Sequence, residues 1–217
     1  METTWFEIGD ITLRAPVTTG TNLLVFVQCL AYALVLRPSA SETSRLWAGF
    51  FAAMSAAMLA GAFKHGLHHV LQEEALVVVL AISNIAGALS THFAQRAALA
   101  SGAWTGRRTY LTLARGQLAT FGLANVAFGP QLWLLIVNNA VGLPAVIAGE
   151  VSLAGRLPGA AWVAGGLSAS ILTGAVYLTG VSFGRRVNHI DLAHAVKALG
   201  FLSIYRGVRR QGGTSGH

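Results

Sequence analysis

The stretch ALVVVLAISNIAGALSTHFAQ, residues 75–95, decides what kind of protein this is. It carries no Asp, Glu, Lys or Arg, and it matches the roughly 20 mainly apolar residues that a helix needs to span a bilayer. The acidic pair Glu73 and Glu74 precedes it and Arg96 closes it. Six similar segments flank it, at about Thr18 to Leu36, Leu46 to His65, Tyr110 to Phe128, Leu132 to Glu150, Gly159 to Phe183 and Asn188 to Tyr205. Arg37-Pro38, Gly129-Pro130 and Pro158 punctuate them as turn signals.

Composition agrees. Of 217 residues, 54% are hydrophobic and 11% charged, and mean hydropathy is +0.59. Soluble domains carry about 25% charged residues, so lipid must cover part of this chain. The expected fold is all-α: a polytopic seven-transmembrane helix bundle forming one domain over residues 1–210. A Gly-rich tail, residues 211–217, is expected to be disordered. No internal repeat is evident.

Net charge is +7 and the isoelectric point about 10.5. The positive-inside rule accounts for this if the N-terminus is outside. Arg37, Arg45, Arg96, Arg107, Arg108 and Arg156 then fall in inner loops, and Arg206, Arg209 and Arg210 in a cytoplasmic C-terminal tail. Arg14, Arg185 and Arg186 fall outside, offset by Glu2, Glu7, Asp10, Glu73 and Glu74. Arg185 and Arg186 are expected to anchor at the interface, or to bind lipid headgroups or a substrate phosphate. The expected location is a bacterial inner membrane. Nucleic acid is not an expected partner, because no recognition helix and no basic stretch interleaved with aromatics occurs. The acidic N-terminus does not resemble a cleaved signal peptide, so the first helix is expected to serve as the insertion signal.

The lone Cys29 sits in an apolar run and is expected in the core. Of the 25 glycines, Gly165, Gly166, Gly174 and Gly180 lie inside the sixth segment; Gly174 and Gly180 are expected to be packing positions, since small residues let membrane helices approach closely. Asn84, Asn125, Asn138, Asn139 and Gln28 are expected to form interhelical hydrogen bonds.

Polar groups within a membrane are costly and therefore informative. Two clusters hold five of the seven histidines: Lys64-His65-Gly66-Leu67-His68-His69 and Asn188-His189-Ile190-Asp191-Leu192-Ala193-His194. The first ends the second segment and the second begins the seventh, so both occupy the outer membrane level. Asp191 and His194 share a helix face at i, i+3, as do His65 and His69 at i, i+4 if the helix continues. Imidazoles and a carboxylate on neighbouring helices have the chemistry of a catalytic zinc site, with three protein ligands and an open water position. The candidate ligands are His65, His69, His189, Asp191 and His194, and the candidate general bases are Glu73 and Glu74. Lys197 lies three residues past His194, on its face and deeper in the membrane. It is a candidate to pair with an acid, contact an anionic substrate or form a Schiff base. It resembles the retinal-binding lysine of microbial rhodopsins, but no acidic counter-ion stands on the third segment, and Asp191 is not at that family's spacing.

The seven segments and the histidines ending the second and opening the seventh resemble the CREST superfamily, which includes alkaline ceramidases and the progestin-and-adipoQ receptors. The resemblance implies a zinc-bound water that hydrolyses a lipid amide. The family pattern is Ser-x3-His on helix two, Asp on helix three and His-x3-His on helix seven. Leu59 to Gly66 is similar to the helix-two element with His65 as ligand, and Asn188 to His194, followed by Leu199 to Gly207, to the helix-seven element with His194 as its second histidine. Gly61 stands at the family serine and Ile190 at the first histidine, whose place His189 or Asp191 would take. No Asp occurs in the third segment, so Glu73 or Glu74 would replace it.

The leading expectation is therefore a zinc-dependent membrane hydrolase of a lipid-like amide or ester. A heme-binding electron carrier, with two histidines as axial ligands, and a non-catalytic membrane subunit are the alternatives. Expected partners are membrane lipids, a lipid substrate, and further copies or other subunits in an oligomer.

Overall fold

The computed structural model describes residues 5–8, 11–180 and 188–212. Arg185 and Arg186, the end of the expected sixth segment and residues 213–217 lie outside the described residues. Among the described residues seven helices follow one another: α1 (Pro16–Leu36), α2 (Glu42–Leu67), α3 (Glu73–Ala100), α4 (Arg107–Phe128), α5 (Leu132–Leu153), α6 (Ala160–Thr179) and α7 (His189–Gly212). Five of them, α1, α2, α3, α5 and α6, are long and apolar enough to cross a membrane. The helices α4 and α7 are not among these five; they carry Arg107, Arg108 and Arg115, and Asp191, Lys197, Arg206, Arg209 and Arg210.

The all-helical expectation holds for the bundle, and a short strand pair precedes it. An antiparallel hairpin, β1 (Trp5–Ile8) and β2 (Ile11–Arg14), precedes α1, with Trp5 opposite Arg14 and Ile8 opposite Ile11. Its runs are rich in aromatic and β-branched residues and are separated by Gly9-Asp10, a two-residue hairpin signal.

Several helices outrun their apolar segments, because a backbone hydrogen-bond ladder does not stop where lipid stops. Ser41 caps α2, its hydroxyl accepting from the Ser44 N–H, so the helix starts at Glu42. Pro16 opens α1, where its missing N–H costs nothing. Glu73 and Glu74 sit in the first turn of α3, where they face the positive end of the helix dipole. Likewise α7 continues through Gln211 and Gly212, which are therefore helical rather than part of a disordered tail.

The core lies on the seam of α1, α2 and α7. Trp47, Phe51 and Phe201 are fully buried there, and Phe50 meets Phe201 edge-on with ring centroids 5.8 Å apart. Tyr32 of α1 stacks on Tyr205 of α7 at 4.1 Å. Gln28 of α1 donates to the Ala198 carbonyl of α7, so α1 and α7 run side by side in the same direction. Against α7 lies α6, antiparallel, in backbone contact: a Cβ on Gly200 would come within 2.8 Å of the Gly166 carbonyl oxygen, and one on Gly207 within 2.6 Å of that of Gly159. Only glycine permits that approach.

Two of the sixth segment's glycines behave otherwise. A Cβ on Gly174 would meet nothing within 4 Å, so Gly174 is not a packing position. Gly180, at φ +66°, ends α6 in the left-handed region that favours glycine.

The side of the bundle built from α3, α4 and α5 is held by carboxamides. Asn84 donates to the side chain of Asn125 (3.1 Å) and to the Gln131 carbonyl. Thr91 donates to Asn139 (2.7 Å). Gln95 donates to Gln117 (2.8 Å), which donates on to the carbonyl and side chain of Asn138. The asparagines thus take the interhelical role their positions implied. Cys29 is fully buried in the core, as expected.

Candidate functional site

The start of α7 is organised by its own sequence. The Asn188 side chain accepts from the backbone N–H groups of Ile190 (2.7 Å) and Asp191 (3.1 Å). In return the Asp191 carboxylate accepts from the Asn188 N–H (3.1 Å). This reciprocal arrangement is a capping box, with Asp in the place of the usual Glu or Gln. Asp191 is nearly fully buried, and its other oxygen accepts from the Thr18 hydroxyl of α1 at 2.8 Å. One helical turn deeper, Thr21 of α1 meets Nδ1 of the buried His194 at 2.9 Å.

The Thr21 hydroxyl also lies 3.0 Å from the Thr18 carbonyl. It can donate to that carbonyl and accept from Nδ1–H of His194, or donate to Nδ1. The first arrangement leaves Nε2 with a lone pair, as a metal ligand or general base requires.

The second cluster reaches the same place from α2. His65 is half-buried near the end of α2 and lies within electrostatic reach of both Asp191 and His194. Between them stands α1. Asn22, fully buried, donates to the Thr18 carbonyl, and its Oδ1 occupies the space beside Gly61, 2.7 Å from where a Cβ there would sit. A polar side chain from α1 thus fills the position opposite Gly61.

The remaining candidates do not join this centre. His189 is two residues before Asp191 and so points away from it, toward α6. Its ring meets Tyr177 edge-on at 5.6 Å, and its Nδ1 is buried without a hydrogen-bond partner. His69 and His68 are exposed in the turn after α2, because the helix ends at Leu67 and the expected i, i+4 face does not extend to them. Glu73 and Glu74 are exposed on the first turn of α3.

Of the candidate ligands, Asp191 and His194 face α1 at the start of α7, and His65 lies within electrostatic reach of both. Their donor types suit zinc. Their arrangement supplies two imidazoles with unengaged nitrogen and a carboxylate whose two oxygens already accept from Thr18 and Asn188. Among the described residues no three His, Cys, Asp or Glu side chains are grouped so as to hold a metal ion. A three-ligand set needs Asp191 to turn away from Thr18.

A cavity of about 400 Å³ opens between α2, α3, α5, α6 and α7; Lys197, one turn past His194, is in its lining, and His65, Asp191 and His194 are not. Met54, Met58, Leu135, Leu167 and Phe201 are among its apolar walls, and Tyr177 and Lys197 also line it. Lys197 is on the face of His194 and close enough to bear on its electrostatics.

Sequence reasoning missed the contribution of α1. Thr18, Thr21 and Asn22 recur at i, i+3, i+4, the spacing of one helix face, and that polar stripe at the head of an apolar helix was the available signal. It also missed Glu150 of α5, which is wholly buried and accepts from Gln211 of α7 at 3.0 Å; it was read as the boundary of an apolar segment.

No curated protein and no solved structure matches the chain. One family model does, over residues 17–212, which span α1 to the end of α7, and by it the chain belongs to a family of unknown function, DUF6962.

Proposed function

We propose that this protein is a membrane-embedded hydrolase of lipid-like amides or esters, with its polar centre at His65, Asp191 and His194. The observation that carries the reading is the meeting of the two histidine-bearing helix ends against α1, next to a largely apolar cavity. His194, oriented by Thr21, presents Nε2 as a ligand or base. His65 presents a second imidazole from α2. Asp191 secures the start of α7 and sets the charge beside both rings. The cavity gives an acyl chain a place beside the reacting group.

In the metal-dependent form of this reading, His65 and His194 would hold zinc, and Asp191 would join them only by giving up its bond from Thr18. When bound, the ion lowers the pKa of a ligated water to about 7 and makes hydroxide available at neutral pH. Glu73 and Glu74 have no part in it, since they stand exposed at the head of α3.

The topology that accompanies the reading has all seven helices spanning a bacterial plasma membrane, N-terminus outside and C-terminus in the cytoplasm. Arg37, Arg45, Arg107, Arg156, Arg209 and Arg210 then lie at the inner end, as the positive-inside rule requires. The polar flanks of α4 and α7 do not preclude spanning, since arginines near helix ends snorkel to the interface. The polar centre then lies at the outer end.

Elemental analysis of the protein purified in mild detergent, without a metal-affinity step, tests the metal. The comparison is wild type beside His65→Ala and His194→Ala. Zinc near one equivalent, lost in both variants, supports the reading. Iron at that stoichiometry replaces it with a heme carrier. Absence of any stoichiometric metal removes the zinc step. Hydrolysis of a long-chain amide by wild type and not by His194→Ala then decides whether the centre is catalytic without it.

A further inference from the structure

The cavity that Lys197 lines is elongated. Its wall on α6 runs from Leu167 to Leu178, about 16 Å at 1.5 Å rise per residue. That shape suits an extended chain better than a compact solute, and the volume of about 400 Å³ falls within the roughly 300–1,000 Å³ typical of small-molecule sites. Apart from that of Tyr177, the hydroxyls in the wall are committed elsewhere. Ser90, Ser170 and Thr173 donate to carbonyls of their own helices, Ser83 to the Ala57 carbonyl of α2, and Thr91 to Asn139.

Lys197 is the cation in this wall. Among the described residues it has neither a hydrogen bond nor an ion pair; its titratable neighbours are the buried Cys29 and His194. A lysine at membrane depth is costly without an anionic or polar partner. A cavity that is apolar along its length and carries one unpaired cation is complementary to a molecule with one long apolar chain and one anionic group.

We propose that this cavity binds a single-chain carboxylate, a long-chain fatty acid, with Lys197 as its counter-ion. The site rests on the cavity and Lys197, and stands whether or not His65 and His194 perform hydrolysis. Phosphate-headed bilayer lipids carry two chains and a bulkier headgroup, so the carboxylate is the better match to one channel and one ammonium.

The test is equilibrium binding of palmitate to the protein in nanodiscs containing phosphatidylglycerol, which holds the membrane's own anion in constant excess. Hexadecanol is the uncharged competitor of equal chain length. Wild type is expected to bind palmitate saturably and about tenfold or more tighter than hexadecanol, the loss expected for one charge-assisted hydrogen bond. Lys197→Met should reduce palmitate to the level of hexadecanol, and Lys197→Arg should keep the preference. Gly174→Leu places a side chain in open space in the cavity wall and should abolish binding of both molecules. Arg156→Gln, a charge change at an exposed position outside the cavity lining, should bind palmitate as wild type does. Equal affinity of wild type for palmitate and hexadecanol overturns the proposal, as does unchanged binding by Lys197→Met or no saturable binding above the phosphatidylglycerol background. The wild-type comparison decides even where a variant fails to fold.

Discussion

Two polar regions cross the interior of this bundle, and they balance their hydrogen bonds differently. On the side of α3, α4 and α5, Asn84, Thr91, Gln95, Gln117, Asn125, Asn138 and Asn139 form a closed set of pairings. None of these side chains retains a buried unpaired atom, although the Tyr110 hydroxyl on the same side does. On the side of α1, α2 and α7, Thr18, Thr21, Asn22, Asn188 and Asp191 are similarly engaged. Yet beside them His65 and the Nε2 of His194 have no hydrogen-bond partner among the described residues. Closed pairings hold helices together. A scaffold that holds His194 through Thr21 and leaves ring nitrogens open is suited to act on something else. Burial alone does not separate the two regions; donor balance does.

That contrast predicts opposite consequences of substitution. The largest effect is expected for His194→Ala: amide hydrolysis should fall by at least about 100-fold, the range of a lost acid–base or ligand group, with the thermal midpoint in detergent nearly unchanged. A large loss of stability instead would move His194 into the structural class. Gln117→Leu should do the reverse. It breaks bonds to Gln95 and Asn138 and should destabilise by about 1–2 kcal/mol, since membrane hydrogen bonds average about 0.6 kcal/mol and stranded partners add to that. Activity per folded molecule should stay at the wild-type level, measured on the fraction that elutes as native protein.

Thr18→Val sharpens the boundary between the regions. It removes the α1 donor to Asp191 and should cost about 1 kcal/mol, while freeing a carboxylate oxygen. If Asp191 is a metal ligand, zinc affinity measured by competition with a chelator should rise or hold. A fall would assign Asp191 to the α7 capping box alone. The smallest effect is expected for Glu73→Gln with Glu74→Gln. These exposed first-turn residues contribute about 0.3–1 kcal/mol each through the α3 dipole, and the pair should leave activity and metal content untouched.

Much of the bundle was legible from residues alone. The seven helices lie where the apolar segments lie, because the need to satisfy every backbone group inside lipid leaves a long apolar run little choice but helix. The pairing role of Asn84, Asn125, Asn138 and Asn139 followed from the same cost. Helix ends were less legible. Ser41 and the residues from Glu42 to Arg45 are polar, so the start of α2 was hidden in what reads as a loop, and the β-hairpin was overlooked beside the stronger helical signal.

The candidate site was legible only in half. Alternation of the expected spans put the histidine clusters of α2 and α7 at one level, and in the structure His65 lies within electrostatic reach of His194. Which of their neighbours take part was not available from spacing. His189 and Asp191 are two residues apart, and only the rotation of α7 against α1 and α6 turns Asp191 toward Thr18 and His189 toward Tyr177.

The sequence by itself determined that the chain is helical and apolar enough for a membrane, because hydropathy and helix length are local properties. Tertiary structure alone decided that α1 supplies Thr18, Thr21 and Asn22 to the polar centre, and that Gly174 and Lys197 border a cavity rather than a packed interface. It also decided that Glu150 is buried against Gln211. Each of these depends on which helix faces which and at what rotation, and that is set by packing between segments distant in the chain.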